Sequence, residues 1–330
     1  MPTQLTIAVD LMGGDLGPRS TLPAALNFAR ANPAIALVLV GDVSEIPPSL
    51  PSNVRSLAST QVVTMDDKPA QALRHKQDSS MWKAIELVST GEAHACVSAG
   101  NTGALMAMGK LLLKTFPGID RPAICKAMPT QTGSCYVLDL GANVDCTAEQ
   151  LLQFGLMGSV LAEASGVAEP TVGLLNIGSE DIKGNEQIRQ ASTLLESAPQ
   201  LNYIGYVEGD GIFDGKADVV VCDGFVGNVA LKVSEGAARL VVSYLKSGSQ
   251  GGFISRLVGQ FARPFLRQWH TKIDPASYNG ASFLGLRGVL VKSHGSVDAK
   301  GFAYAMAVAK EQAEKKTPEK IQALLAESLA

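Results

Sequence analysis

The stretch Leu5-Thr6-Ile7-Ala8-Val9-Asp10-Leu11-Met12-Gly13-Gly14-Asp15-Leu16-Gly17-Pro18 decides the fold. Residues 5–9 form a short run without charge that reads as a buried strand. The Asp/Gly/Pro segment after it reads as a turn, and a helical pattern then continues through Ala31. A second apolar strand over 35–40, ended by Gly41-Asp42, completes a βαβ unit. The alternation recurs downstream: a helix over 81–90, a strand at Cys96, a helix over 103–113, a strand over 136–140 and a long helix over 148–165. Short apolar strands alternating with helices of ten or more residues predict an α/β, doubly wound, largely parallel sheet covered on both faces.

Four apolar runs break into short Gly/Asn/Ser/Asp turns that open into helical patterns. They are Ala95-Cys96-Val97-Ser98-Ala99-Gly100-Asn101-Thr102-Gly103, Gly173-Leu174-Leu175-Asn176-Ile177-Gly178, Val219-Val220-Val221-Cys222-Asp223-Gly224-Phe225-Val226-Gly227-Asn228 and Val289-Leu290-Val291-Lys292-Ser293-His294-Gly295-Ser296. Ligands of such sheets collect beyond the strand carboxyl ends. Turns of this kind aim backbone N–H groups at an anion. The four corners are therefore expected to converge along one rim of the sheet and hold an anion.

Composition narrows the function classes. With 46% hydrophobic and 18% charged residues over 330 positions, the chain can bury a large core. Its 28 basic and 31 acidic residues give a net charge of -3, which does not support nucleic acid as a partner. Five cysteines without metal-ligand spacing read as reduced, mostly buried thiols of a cytoplasmic protein. Met1-Pro2-Thr3-Gln4 lacks a basic leader region, and no apolar stretch approaches the ~18 residues of a spanning helix. Neither secretion nor membrane spanning is expected.

No nucleotide signature accompanies the turns. Gly209-Asp210-Gly211-Ile212-Phe213-Asp214-Gly215 is off by one from a dinucleotide fingerprint and runs into another strand, and nothing matches a P-loop, so no cofactor is expected. Other residues carry the candidate chemistry. Lys183 can bind phosphate as a point charge, and Asn185 can donate to a carbonyl oxygen, although a solvated loop with an Asn cap explains both equally well. Asn228, at the start of a long helix, could be a cap, but its neighbours Asp223 and Gly224 favour a functional reading. His294 is the one histidine of four in a strand-to-helix turn, where it could protonate a thiolate or orient phosphate. Asp139 and Asp145 could hold metal, but building and capping the turn is the favoured duty, and no metal site is expected. Cys146 and Cys222 are poor nucleophile candidates because an apolar setting raises a thiol pKa.

The segment 253–270 departs from the α/β pattern. Ile254, Leu257, Val258, Phe261, Phe265 and Trp269 follow helical spacing, with Arg256, Arg263 and Arg267 interleaved, no acid before Asp274, and a kink expected at Pro264. An interfacial helix on anionic lipid has this composition, so membrane contact is favoured over an oligomer interface.

Taken in order, these motifs resemble the bacterial phosphate acyltransferase (PlsX) family of phospholipid synthesis. The likeness runs from Ile7-Ala8-Val9-Asp10 and Met12-Gly13-Gly14-Asp15 through Ser98 to Ala104 and Leu138-Asp139-Leu140-Gly141-Ala142-Asn143. It continues through Leu174 to Gly178, Lys183-Gly184-Asn185, Val207-Glu208-Gly209 and Cys222 to Asn228, and ends at Lys292 to Ser296. The resemblance implies transfer of a long-chain acyl group from acyl carrier protein to inorganic phosphate, the acyl phosphate then passing to a downstream glycerol-3-phosphate acyltransferase. It implies a fold like isopropylmalate dehydrogenase and phosphotransacetylase, a homodimer, and a cytoplasmic enzyme peripherally associated with the membrane. It also implies a single α/β domain over 1–330 with a helical hairpin inserted at 247–275. Phosphate is already a nucleophile, so the protein needs to hold an anion against a thioester and stabilise the oxyanion that forms. On that chemistry, backbone amides from Gly100 through Thr102 to Gly103, with Ser98, Asn101, Asp223, Gly224 and Ser293, are expected to bind phosphate or substrate. Lys183 would neutralise phosphate, Asn185 and Asn228 polarise the carbonyl, and His294 assist the thiolate. A phosphotransacetylase-like enzyme using coenzyme A thioesters and a non-catalytic membrane scaffold are the rival readings.

Overall fold

The computed structural model describes residues 4–248 and 278–328. From 249 onward the expected hairpin, with Ile254, Leu257, Val258, Phe261, Phe265 and Trp269, lies outside the described residues. In chain order the strands are β1 (Thr6–Asp10), β2 (Ala36–Gly41), β3 (Val54–Ala58), β4 (Ala95–Ser98), β5 (Ala123–Pro129), β6 (Ser134–Leu138), β7 (Thr171–Leu175), β8 (Asn202–Val207), β9 (Val219–Val221), β10 (Ala281–Leu284) and β11 (Val289–Lys292). The helices are α1 (Pro18–Ala31), α2 (Pro69–His75), α3 (Ser80–Ser89), α4 (Thr102–Leu113), α5 (Ala148–Ala164), α6 (Glu186–Glu196), α7 (Gly211–Asp214), α8 (Gly224–Gly248), α9 (Ala299–Glu314) and α10 (Thr317–Ser328). A short α7 stands between the Gly209 turn and β9, where the sequence suggested direct passage into a strand.

One sheet joins all eleven described strands in the order β3-β2-β1-β4-β11-β10-β5-β6-β9-β7-β8. Parallel pairs build its two wings, β3-β2-β1-β4-β11 and β6-β9-β7-β8. The antiparallel pairs β11-β10, β10-β5 and β5-β6 form the seam between them. The strands of the two wings consequently run in opposite directions. The largely parallel sheet expected from the sequence is present, but a single common carboxyl edge is not, because an odd number of reversals separates the wings.

Period-2 alternation sets the faces. In β1, Ala8 packs with Met81, Ile85 and Leu105 of α3 and α4, while Ile7 and Val9 pack with Phe28 of α1 and Phe302 of α9. On the second wing the α1/α9 side is continued by α5, α6 and α10 around Phe154, Leu195 and Leu325. Each large apolar side chain so buried contributes about 1.5–3 kcal/mol. Truncating fully buried Phe154 to Ala would cost about 3–5 kcal/mol. Side-chain caps start the helices cleanly: Thr147 and Gln150 form a reciprocal capping box on α5, and Asp298 caps α9. No helix among the described residues is long and apolar enough to cross a membrane.

Candidate active site

The seam of the sheet is overlain by two adjoining cavities. One, of about 260 Å³, is lined by Thr102, Gly141, Asn228 and His294 together with Lys126, Lys232, Lys292 and Glu235. The other, of about 740 Å³, is almost wholly apolar, with Met128, Val137, Leu175 and Phe213 among its walls and Asn185 and Asp223 among its few polar groups. Leu140 and Leu231 line both. Three of the four corners thus reach the polar cavity or its border, and the second corner, at Asn176 and Asn185, reaches the apolar one.

The corner after β4 is largely self-satisfied. Ser98 Oγ donates to Asp10 Oδ2 (2.6 Å) and accepts from the Gly100 N–H (3.0 Å). Asn101 caps α4, its Oδ1 accepting from the Ala104 N–H (3.0 Å) while Nδ2 donates to the carbonyls of Met65 (2.8 Å) and Asp67 (3.0 Å). Ser98, Gly100 and Asn101 therefore build the corner, and Gly103 fits closely under Pro69. Thr102 is the residue of this corner that lines the cavity, and the first-turn amides of Thr102 and Gly103 have no partner within their own helix.

Asp139, after β6, accepts from the backbone N–H groups of Ile124 (2.9 Å), Gly141 (3.2 Å), Ala142 (3.0 Å) and Asn143 (2.7 Å), and from Asn143 Nδ2 (2.9 Å). Burial pushes this carboxyl up and the donors pull it back. Its oxygens are committed to the turn, in line with the turn-building duty. The thiols are equally committed: Cys222 Sγ donates to the Asp139 carbonyl (3.5 Å), and burial raises Cys222 well above an ordinary thiol and Cys146 to about 12.

At the third corner the cap of α8 is Asp223, whose Oδ1 accepts from the Val226 N–H (2.9 Å), so Asn228 lies one turn inside the helix and is not its cap. A Cβ on Gly227 would stand 1.9 Å from the Asp139 carbonyl oxygen, and one on Gly224 2.4 Å from that of Asn143. Glycine alone lets the first turn of α8 rest directly on the β6 turn. This close approach sets Asn228 over Gly141. Asn228, Leu231, Lys232 and Glu235 then follow at i, i+3, i+4 and i+7, one helical stripe along the cavity.

Ser293 ties the last corner to the first. Its N–H donates to the Ser98 carbonyl (2.8 Å), and its Oγ accepts from Asn279 Nδ2 (2.8 Å). Lys292 Nζ donates to the carbonyls of Ala99 (3.1 Å) and Ser293. Burial lowers Lys292 from 10.5 to about 8, with Asp15 and Asp10 opposing the shift. Burial also pulls the ammonium of Lys126 down, against the pull of Glu235. His294 Nδ1 accepts from the Ser296 N–H (3.3 Å), which leaves Nε2 as the protonated nitrogen of the neutral ring. Partial burial, then Lys232, hold its pKa below the usual histidine value.

Among the described residues, three lysines against the single Glu235 make the smaller cavity cationic, and at partial burial such charges act at an effective dielectric well below that of water. Lys126, Lys232 and Glu235 were not singled out in the sequence. Lys126 had one visible sign, since it shares a sheet face with Ile124 and Met128 in an otherwise uncharged strand. Lys183 is exposed and lines neither cavity, and Asn185 caps α6, its Oδ1 accepting from the Ile188 N–H (2.9 Å) at the rim of the apolar cavity. These two are not brought to the cationic cavity.

The family described as "Fatty acid synthesis protein" matches residues 5–320. A phosphate acyltransferase of Pseudomonas syringae pv. syringae is 53% identical over 326 residues, covering 97% of this chain and 96% of its own length. One from Saccharophagus degradans is 52% identical over 334 residues, covering 100% and 98%. The chain belongs to the phosphate acyltransferase family. The fold of this family member is shared more widely: a phosphotransacetylase from Streptococcus pyogenes superposes with a TM-score of 0.65 at 15% identity, over 96% of this chain and 95% of that one. This phosphate acyltransferase family member thus sets a cationic and an apolar cavity side by side on a fold also found in a phosphotransacetylase.

Proposed function

We propose that the enzyme transfers a long-chain acyl group from acyl carrier protein to inorganic phosphate, releasing acyl phosphate for phospholipid synthesis. The observation that carries this reading is the adjacency of a cationic cavity of about 260 Å³ to an apolar one of about 740 Å³ across Leu140 and Leu231. The larger is in the size range of small-molecule sites, and its walls suit an alkyl chain. Phosphate would sit among Lys126, Lys232 and Lys292, with the Thr102 and Gly103 amides near, and the thioester carbonyl would lie at the border beside Asn228. A phosphate oxygen attacks the carbonyl carbon, and Asn228 Nδ2 stabilises the oxyanion. The C–S bond then breaks, the Nε2–H of His294 hydrogen-bonds the departing thiolate, and the thiolate takes the proton that hydrogen phosphate loses as the acyl phosphate forms. Asn185, at the rim of the apolar cavity, and Lys183, exposed on the loop that precedes it, act on the incoming donor, while Ser98, Gly100, Asn101, Asp223, Gly224 and Ser293 hold the corners in place.

Turnover of acyl carrier protein thioester to hydroxylamine-trappable acyl phosphate, measured with and without phosphate and against a coenzyme A thioester, tests the assignment. Preference for the coenzyme A donor would favour the phosphotransacetylase-like reading, and absence of phosphate-dependent cleavage would leave a scaffold.

Peripheral contact with an anionic membrane through the 253–270 segment, and a homodimer, belong to the same proposal. The basic amphipathic sequence supports the first. The second is supported by the exposed apolar residues Phe225 and Leu240 on α8, which line neither cavity. Liposome co-sedimentation of a Leu257→Glu/Phe261→Glu variant tests lipid contact, and equal binding would leave subunit packing as the duty of the segment.

A further inference from the structure

Among the described residues the cationic cavity is lined by one acid, and an anion site built for affinity alone would be stronger without it. Glu235 is nine-tenths buried, as is Lys126 opposite it. Its Oε1 lies 3.5 Å from Lys126 Nζ, and its Oε2 lies 3.6 Å from Lys232 Nζ and 4.0 Å from Arg239 Nη1. All three distances are long for charge-assisted bonds, so the carboxylate keeps lone pairs for another donor.

We propose that Glu235 makes this cavity selective for oxyanions that still carry a proton, admitting hydrogen phosphate and rejecting sulfate. The three lysines attract any tetrahedral dianion and cannot tell the two apart. Hydrogen phosphate keeps one O–H, which Glu235 accepts. Sulfate at neutral pH has no proton, so its oxygens would face the carboxylate as acceptor against acceptor in a partly buried site, a contact that discriminates by repulsion. Sulfate would otherwise block the site without yielding product.

The inference rests on phosphate occupying this cavity. A charge-assisted hydrogen bond contributes about 1.5–3 kcal/mol, so discrimination of about tenfold to hundredfold is expected. In steady-state assays at pH 7 the full-length enzyme should be inhibited by arsenate, which is protonated, at concentrations near the phosphate KM. Sulfate should require at least tenfold more. In the Glu235→Gln variant, whose amide can donate to sulfate, the gap should shrink to about threefold or less. Wild-type enzyme taking sulfate as readily as arsenate would overturn the proposal whatever the variant does. So would an active Glu235→Gln enzyme that keeps the full gap, because Glu235 would then only pin α8 to the sheet through Lys126. Failure of the underlying phosphate assignment has a different signature: Lys126→Met and Lys292→Met would leave the phosphate KM unchanged.

Discussion

Replacing Lys292 by methionine should separate a functional charge from its energetic cost. Lys292 binds its proton less tightly in the fold, at about 8, than at the ordinary value of 10.5, chiefly because it is buried. Between those two pH values the unfolded chain holds more protons, so stability rises with pH. Below about pH 8 both states are protonated and the full penalty is present, and above 10.5 it is gone. At ~1.36 kcal/mol for each tenfold change in proton affinity, the penalty is about 3 kcal/mol. The variant lacks this proton but also leaves the Ala99 and Ser293 carbonyls without their donor, so its absolute stability at pH 7 mixes two effects of opposite sign. The pH dependence does not mix them. Urea unfolding at a series of pH values should give a stability difference, wild type minus Lys292→Met, that is flat below pH 7. It should climb by about 3 kcal/mol between pH 8 and 10.5, with a slope no steeper than ~1.4 kcal/mol per pH unit. Phosphate KM should be raised at least tenfold in the variant at pH 7. Parallel stability curves across the whole range would refute the claim that a buried charge at Lys292 is maintained for anion binding.

Three further outcomes follow from the geometry. Asn228→Ala should lower kcat by about 10²–10³-fold with little change in phosphate KM, as measured by acyl phosphate formation, since it removes the proposed oxyanion donor and no cation. Lys183→Ala should leave phosphate KM within about twofold of wild type, whereas Lys126→Met should raise it at least tenfold, because only the second residue lines the cationic cavity. Ala230→Leu should shift preference toward shorter acyl donors, by about fourfold in kcat/KM for each methylene excluded from the apolar cavity, read from a series of donors of graded chain length.

Strands and helices were legible because their signals are local. The period-2 and period-3.6 patterns around Ile7, Cys96 and Leu105 reflect burial on faces that the chain itself defines, and the corners at Asn101, Asp223 and His294 carry turn chemistry in consecutive residues. The wing reversal was not legible, because it depends on which strand pairs with β10, and no local pattern encodes pairing partners. Lys232 and Glu235 read as an ordinary i,i+3 surface pair, and only the approach of Lys126 from a strand more than a hundred residues away gives them a site. Lys183 stands apart from the cationic cavity for the complementary reason: it sits near Asn185 in a suggestive turn, but its loop leaves it exposed.

The stripe Asn228, Leu231, Lys232 and Glu235 ties the proposed reaction to the phase of one helix. An α-helix turns ~100° per residue, so a single insertion in α8 ahead of Asn228 would swing all four side chains off the cavity together, without altering one of them chemically. Substitutions along the stripe should therefore be strongly non-additive. Anything that twists or slides α8 by a fraction of a turn would act on the proposed oxyanion donor, the partition and the charge in a single stroke.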